Sequence, residues 1–402
     1  MSSSSIKESL DIPMFKTNPI FDIISKTVYN ASRTDQAPFF LSDWDLSAQN
    51  HKNIQQILNV AFGKGQNNAF RYLPADETYT ELKYQILKHV SPTIRSDNIA
   101  LCSSGTSAIF ASLNILCKRI KKVLLCCPIY FLYYDILEFL DCEIVLYTHN
   151  ISTLIDINKV DEIIRDKGIE AIVITDPIFG IGLSISSDIL HTLSALCLKY
   201  DIWLMVDGLY GGCEWSIQST IFPISKINEV TLNKKMIYFD SLTKRLGING
   251  NKFALVFADT EFIDIFQNFQ LYSHGGFVIS QITLLEEFFA ESNSNYVTES
   301  IGQLVSNAQD TYKVIDAILR GSKIKLLPAN AGYFSCISIP KNILNGTNDI
   351  ECFDIILKKC NVATLPLSLY KYTDTDNYIC RLNLLLEKHD LLKNISKLKN
   401  TL

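Results

Sequence analysis

From about residue 99 to residue 258, short apolar runs alternate with longer stretches in which apolar positions recur at helical spacing. The runs are Ile99–Cys102, Val123–Cys126, Glu143–Tyr147, Ala171–Thr175, Ile202–Val206, Met236–Asp240 and Phe253–Phe257. Nearly every position in them is apolar rather than every second one, as strands covered on both faces require. Between them, stretches such as Ser107–Lys118 and Ser187–Tyr200 are long enough for crossover helices. Seven such strands with intervening helices predict an α/β fold, a three-layer sandwich around a mainly parallel seven-stranded sheet. Residues 286–402 read differently. Longer helical patterns (Glu286–Asn293, Gln303–Ile318, Phe353–Cys360) are separated by short strands near Tyr333–Ile339 and Tyr378–Leu382, which predicts a smaller α+β domain. The expected organisation is a large domain over 51–285, a small one over 286–402, and an N-terminal segment, 1–50, packing with the small domain.

Composition narrows the class. The chain has 402 residues, 48% hydrophobic and 20% charged, enough to bury a large core, which excludes a disordered or fibrous protein. Lys and Arg number 37 against 42 Asp and Glu, so the basic excess that a phosphate backbone demands is missing and no nucleic-acid partner is expected. Eleven cysteines form no C-x-x-C pair, and MSSSSIKESLDIP carries no hydrophobic leader. They read as core thiols of a reducing compartment. The apolar run Val123–Tyr134 is broken by Pro128 and is too short to span a bilayer, so a soluble, cytoplasmic protein without membrane contact is expected. His51, His89, His149, His191 and His389 have no metal-ligand spacing; surface or capping roles are expected for them, and no metal.

In a sheet of this kind ligands gather at the carboxyl ends of the strands. Polar groups are concentrated there: Ser103–Ser107, Pro128–Tyr130, Asp176–Pro177, Asp207–Tyr210 and Ser241–Lys244. Ser104-Gly105-Thr106, between a strand and a helix, makes a phosphate seat from hydroxyls and free amides, or merely a helix cap. Lys244 at a strand end would be desolvated, which lowers its pKa and suits Schiff-base chemistry; the other reading is a solvated loop lysine. Asp207 follows the apolar IWLMV and needs a cationic partner, such as a protonated heteroaromatic nitrogen, unless it caps a helix. Tyr210 stands three residues on.

Taken together, these spacings resemble the class I/II aminotransferases, pyridoxal-phosphate enzymes of the type I fold. The family's D-x-x-Y appears as Asp207–Tyr210, its S-x-[ST]-K as Ser241–Lys244, its S-G-T turn as Ser104–Thr106 and its P-x-[WY] as Pro128–Tyr130. Its final arginine appears as Arg381 in YICRLNLL, and its Y-x-P element as Tyr72 in RYLPADETYTELK. The resemblance runs in order over about residues 70–385. It implies pyridoxal 5'-phosphate held by Lys244 as an internal aldimine, with Lys244 then acting as the proton-transfer base. Asp207 would keep the pyridine nitrogen protonated, Tyr210 would bond the ring's phenolic oxygen, and Tyr130 would stack on the ring. Gly105, Thr106 and Ser241 would bind the phosphate, with Ser104 and Thr243 also in the cofactor site. Arg381 would pair with the substrate α-carboxylate, and Tyr72 would reach the cofactor of a partner subunit in a homodimer. His274, in LYSHGG, falls where the family lines the substrate mouth or the dimer interface.

The chain also departs from the pattern. Lys252 stands where the family has a phosphate-binding arginine, eight residues past the lysine. The family's N-P-x-N-P-x-G reads Asp176-Pro177-Ile178-Phe179-Gly180-Ile181-Gly182, so Asp176 replaces the first asparagine and Phe179 the second, which would bond the phenolic oxygen. The expected activity is transamination between an α-amino acid and a 2-oxo acid. The same apparatus serves a lyase, decarboxylase, cyclase or oxidase of specialised biosynthesis. A non-catalytic aminotransferase-like regulator is the alternative of another class.

Overall fold

A computed structural model gives the structure of the chain and describes residues 19–24, 37–46, 52–67, 75–151, 155–216 and 218–402. Its strands are β1 (Phe39–Phe40), β2 (Ile99–Cys102), β3 (Lys122–Cys127), β4 (Glu143–Thr148), β5 (Ala171–Thr175), β6 (Trp203–Asp207), β7 (Met236–Asp240), β8 (Ala254–Ala258), β9 (Lys325–Leu326), β10 (Phe334–Pro340), β11 (Val362–Ala363), β12 (Leu365–Pro366) and β13 (Asn377–Asn383). The central sheet has seven strands in the order β2-β8-β7-β6-β5-β3-β4, with helices around it. This is the α/β sandwich the apolar runs predict, and each of the seven runs lies within one residue of its strand.

Strands β2, β5, β7 and β8 are buried at every position, because helices cover both faces of the sheet. Two features escape the pattern. Strand β8 runs antiparallel to both its neighbours, β7 and β2. The connection from β7 carries only the four-residue helix Leu242–Arg245, so the chain turns back beside β7 instead of crossing over the sheet. Strand β4 is at the sheet edge, and Glu143, Leu146 and Thr148 are exposed there although the run reads as covered.

The second sheet, β12-β13-β10-β9, is antiparallel and has β10 and β13 at its centre, paired from Phe334 with Asn383 to Pro340 with Asn377. The helical pattern expected over 286–293 is divided. A helix ends at Phe289, Ala290 is extended, and a short 3₁₀ turn over Glu291–Asn293 leads into the helix Ser294–Leu319. Asn293 donates its side-chain amide to the Glu287 carbonyl at 2.8 Å, a local bond that takes an acceptor from the helix.

The segment at 39–46 is joined to this second sheet. Strand β1 pairs with β11, the Asn383 amide donates to Leu41 O at 2.9 Å, and Asn383 Nδ2 donates to the carbonyls of Asp43 (3.0 Å) and Asp45 (2.9 Å). All eleven cysteines are buried and none forms a disulfide. Among the described residues, no helix is long and apolar enough to cross a membrane.

Candidate active site

The register of the central strands brings the candidate residues to one edge. Thr175 pairs with Asp207 and Asp207 with Phe239. The amide of Asp176 donates to Asp207 O at 2.8 Å, and that of Gly208 to Phe239 O at 2.9 Å. The first residues past β5 and β6 therefore lie side by side with the end of β7. No side chain can stand at 208, because a Cβ there would collide with the Tyr238 ring and hydroxyl. The cavity at this edge, about 120 Å³, is lined by Ser104, Gly105, Thr106, Tyr130, Asp176, Asp207, Tyr210, Ser241, Thr243, Lys244, Lys252 and Arg381, every predicted site residue except Tyr72. Tyr72 is outside the described residues, as is His51, and so is the side chain of His274.

Ser104 caps the helix Gly105–Leu116, accepting from the Ser107 amide at 3.0 Å, and leaves the amides of the first turn toward the cavity end of the helix. Ser241 caps the next such turn: its hydroxyl accepts from the Thr243 amide at 3.2 Å and donates to Phe253 O at 2.6 Å.

Asp207 is buried at the end of β6. Its Oδ2 accepts from the Tyr133 hydroxyl at 3.2 Å and its Oδ1 from the Leu209 amide at 3.3 Å. Burial nevertheless pushes its carboxyl up to about 6, well above the usual carboxylate range. Lys244 is the counterpart. Burial, followed by the nearby charges of Lys252 and Arg381, brings its ammonium down to about 8. Its Nζ donates to Asn249 Oδ1 at 3.0 Å, and Asn249 Nδ2 donates to Trp44 O at 2.8 Å. Burial also pushes the Tyr130 hydroxyl up to about 12 and Tyr210 up further, so both are neutral donors at any working pH.

Arg381 on β13 is 1% exposed. Its Nη2 donates to Ser42 O, its Nε has no hydrogen-bond partner, and no carboxylate among the described residues pairs with it. Its Cζ lies 4.2 Å from the centroid of Trp44, 4.6 Å from that of Phe334, and 5.9 Å from those of Phe179 and Tyr370. These ring faces soften the burial of a cation but supply no counter-charge.

Asp176 lines the cavity, but its carboxylate points into a buried cluster. Lys226 pairs with it, the Ile185 amide donates to it at 2.8 Å and Ser184 Oγ at 3.2 Å, while Lys226 also bonds Glu214 at 2.7 Å. Burial pushes Asp176 up, and Lys226 opposes that shift. Lys252 is exposed at the rim. His149 has no surface or capping role: it is 2% exposed, its ring nitrogens are unpartnered, and burial brings it down to about 4.

Sequence reading missed Trp44, Tyr133, Asn249, Phe334 and Tyr370. Asn249 had a signal, a polar residue five positions after the lysine in a strand-end loop. The others lie in apolar runs or in the irregular N-terminal stretch, where nothing local marks them.

Comparison with known proteins bears on the family and the fold. The chain is 23% identical over 225 residues to 1-aminocyclopropane-1-carboxylate synthase 7 of Arabidopsis thaliana, a match covering 51% of this chain and 46% of that protein, so the chain spans about half the length of that curated relative. Its fold superposes on a Thermus thermophilus aspartate aminotransferase with a TM-score of 0.80 at 14% identity, covering 100% of this chain and 99% of the other. It also superposes on cystalysin of Treponema denticola, which contains pyridoxal 5'-phosphate, with a TM-score of 0.77 at 15% identity, covering 97% and 98%. The model of the family "Aminotransferase class I and II" matches residues 45–387, which is most of the chain. The chain therefore belongs to that family.

Proposed function

We propose that the chain is an aminotransferase for an α-amino acid, in which Lys244 holds the cofactor through its amine and then moves the proton at the substrate α-carbon. The observation that carries this reading is Arg381. It is a buried guanidinium with a free Nε and no ion-paired carboxylate among the described residues, lining the same cavity as Lys244. A buried unpaired cation is costly, and a substrate carboxylate is the ligand that would offset it.

The other residues fit the cofactor. At about 8, roughly a tenth of Lys244 is neutral at pH 7, against roughly one part in three thousand for an ordinary lysine, so its amine can react with an aldehyde. Asp207 is a reluctant anion that a protonated pyridine nitrogen would stabilise. Ser104, Gly105, Thr106, Ser241, Thr243 and Lys252 would receive the phosphate at two helix N-termini. Tyr210 would donate to the ring's phenolic oxygen, Tyr130 would lie against the ring, and Asp176 would flank it. When bound, pyridoxal phosphate supplies the electron sink for the pair left at the α-carbon. Tyr72 would complete the phosphate site of a partner subunit in a homodimer. Eleven buried thiols without a disulfide support a cytoplasmic location.

Borohydride reduction of the holoenzyme followed by peptide mapping tests the attachment, and a label on any lysine but Lys244 overturns it. Mixing the holoenzyme with an amino donor should then give stoichiometric pyridoxamine and 2-oxo acid. The second reading, a lyase or cyclase, draws support from the likeness to the Arabidopsis synthase and from Phe179 in place of an asparagine. Such an enzyme would return the aldehyde form of the cofactor in that mixture.

A further inference from the structure

We propose that the substrate's side chain is apolar and uncharged, and that Trp44, Phe179 and Phe334 form the wall that selects it. This rests on Arg381 holding the α-carboxylate, as proposed above. The charged residues lining the cavity are Asp176, Asp207, Lys244, Lys252 and Arg381. Each already has an occupation. Asp176 is closed off by Lys226, Ser184 and the Ile185 amide. On the reading above, Asp207 and Lys244 would meet the cofactor's nitrogen and aldehyde, Lys252 the phosphate, and Arg381 the carboxylate. No charged group of either sign is left among the described residues of the lining for a side chain.

What surrounds Arg381 is aromatic. Trp44, Phe334 and Phe179 come within 5.9 Å of its Cζ and also line the cavity. Phe179 packs on Tyr370 and Tyr130, with ring centroids 4.8 and 5.5 Å away, so the wall is held from behind. A side-chain carboxylate lying against these rings would be desolvated with no free cation to meet it, whereas an alkyl or aryl group would bury apolar area.

Calorimetry on the holoenzyme with carboxylates that carry no α-amino group tests this. The probes are 3-phenylpropanoate and 4-methylpentanoate against succinate, glutarate and 6-aminohexanoate. The apolar pair should bind at least tenfold tighter than the other three. Trp44→Ser and Phe334→Ser, each checked for retained circular dichroism and cofactor absorbance, should cut the preference below threefold. Equal or tighter binding of succinate, glutarate or 6-aminohexanoate overturns the inference, as does a preference that survives in both variants. Arg381→Ala separates the two layers of the argument. It should weaken all five ligands alike; ligands indifferent to it, or no binding of any probe to the wild type, sink the carboxylate assignment as well. A reversed order of affinities that still depends on Arg381 sinks the side-chain class alone. Single half-reactions should follow the same ranking, with phenylalanine and leucine ahead of aspartate, glutamate and lysine.

Discussion

Tyr133 donates its hydroxyl proton to Oδ2 of Asp207 across 3.2 Å, from a helix that the sequence marks only as apolar. It is one of two donors that keep this buried carboxylate as low as about 6, the other being the Leu209 amide.

Tyr133→Phe should therefore raise the Asp207 pKa further. A hydrogen bond to a charged group is worth about 1.5–3 kcal/mol, or about 1–2 pKa units. In the cofactor-free protein Asp207 binds its proton more tightly when folded than the ordinary value of 3.8, so stability falls as pH rises from about 4 to about 6. The substitution should extend that fall to higher pH. Carboxyl titration by carbon-13 NMR of labelled aspartate checks both points. An unmoved Asp207 titration would mean that the hydroxyl is not a working donor.

Lys244 should titrate near 8 in the cofactor-free protein. Its folded pKa lies below the ordinary value of 10.5, so the folded state binds fewer protons over that interval and stability rises with pH between about 8 and 10.5. Competitive acetylation read by mass spectrometry should show a midpoint near 8 at Lys244. Lys252→Gln should move that midpoint upward, because a like charge is removed. A midpoint above 10 would contradict the desolvated setting.

Lys226 joins Asp176 and Glu214 in the buried cluster behind the cavity. Lys226→Met should leave two buried carboxylates facing each other and cost about 3–5 kcal/mol of stability at neutral pH. The loss should shrink at acid pH, where the carboxylates take up protons. Denaturant unfolding at pH 7 and pH 4.5 measures both. A cost below about 1 kcal/mol at pH 7 would show that water reaches the cluster.

The thiols provide a structural check. All eleven are buried, and burial pushes Cys102 up to about 11 and Cys127, Cys197 and Cys213 up to about 12. Access is closed at all eleven, and thiolate is also suppressed at these four. A disulfide reagent such as Ellman's should titrate none of them in the folded protein and all eleven in denaturant. Fast reaction of one or more at neutral pH would show that the core opens there.

The strands of the central sheet, and the polar residues gathered at their ends, are legible in one dimension. Strand runs are contiguous and apolar because both faces are covered, and residues such as Asp207, Tyr210, Ser241 and Lys244 lie a few positions apart on single turns, so their spacing survives in one dimension. Strand β4 read less well, since an edge strand is apolar without being covered. The antiparallel return of β8 was not legible either, because a run of apolar residues has no direction. The partners come from packing between distant elements: Ser42 and Arg381 are 339 positions apart, Tyr133 and Asp207 74, and Lys226 and Asp176 50. Local periodicity reports which face of an element is buried. Which group meets a buried charge depends on how separate elements pack, and that is settled only when the segment at 39–46 closes on β13 and the cavity acquires its aromatic wall.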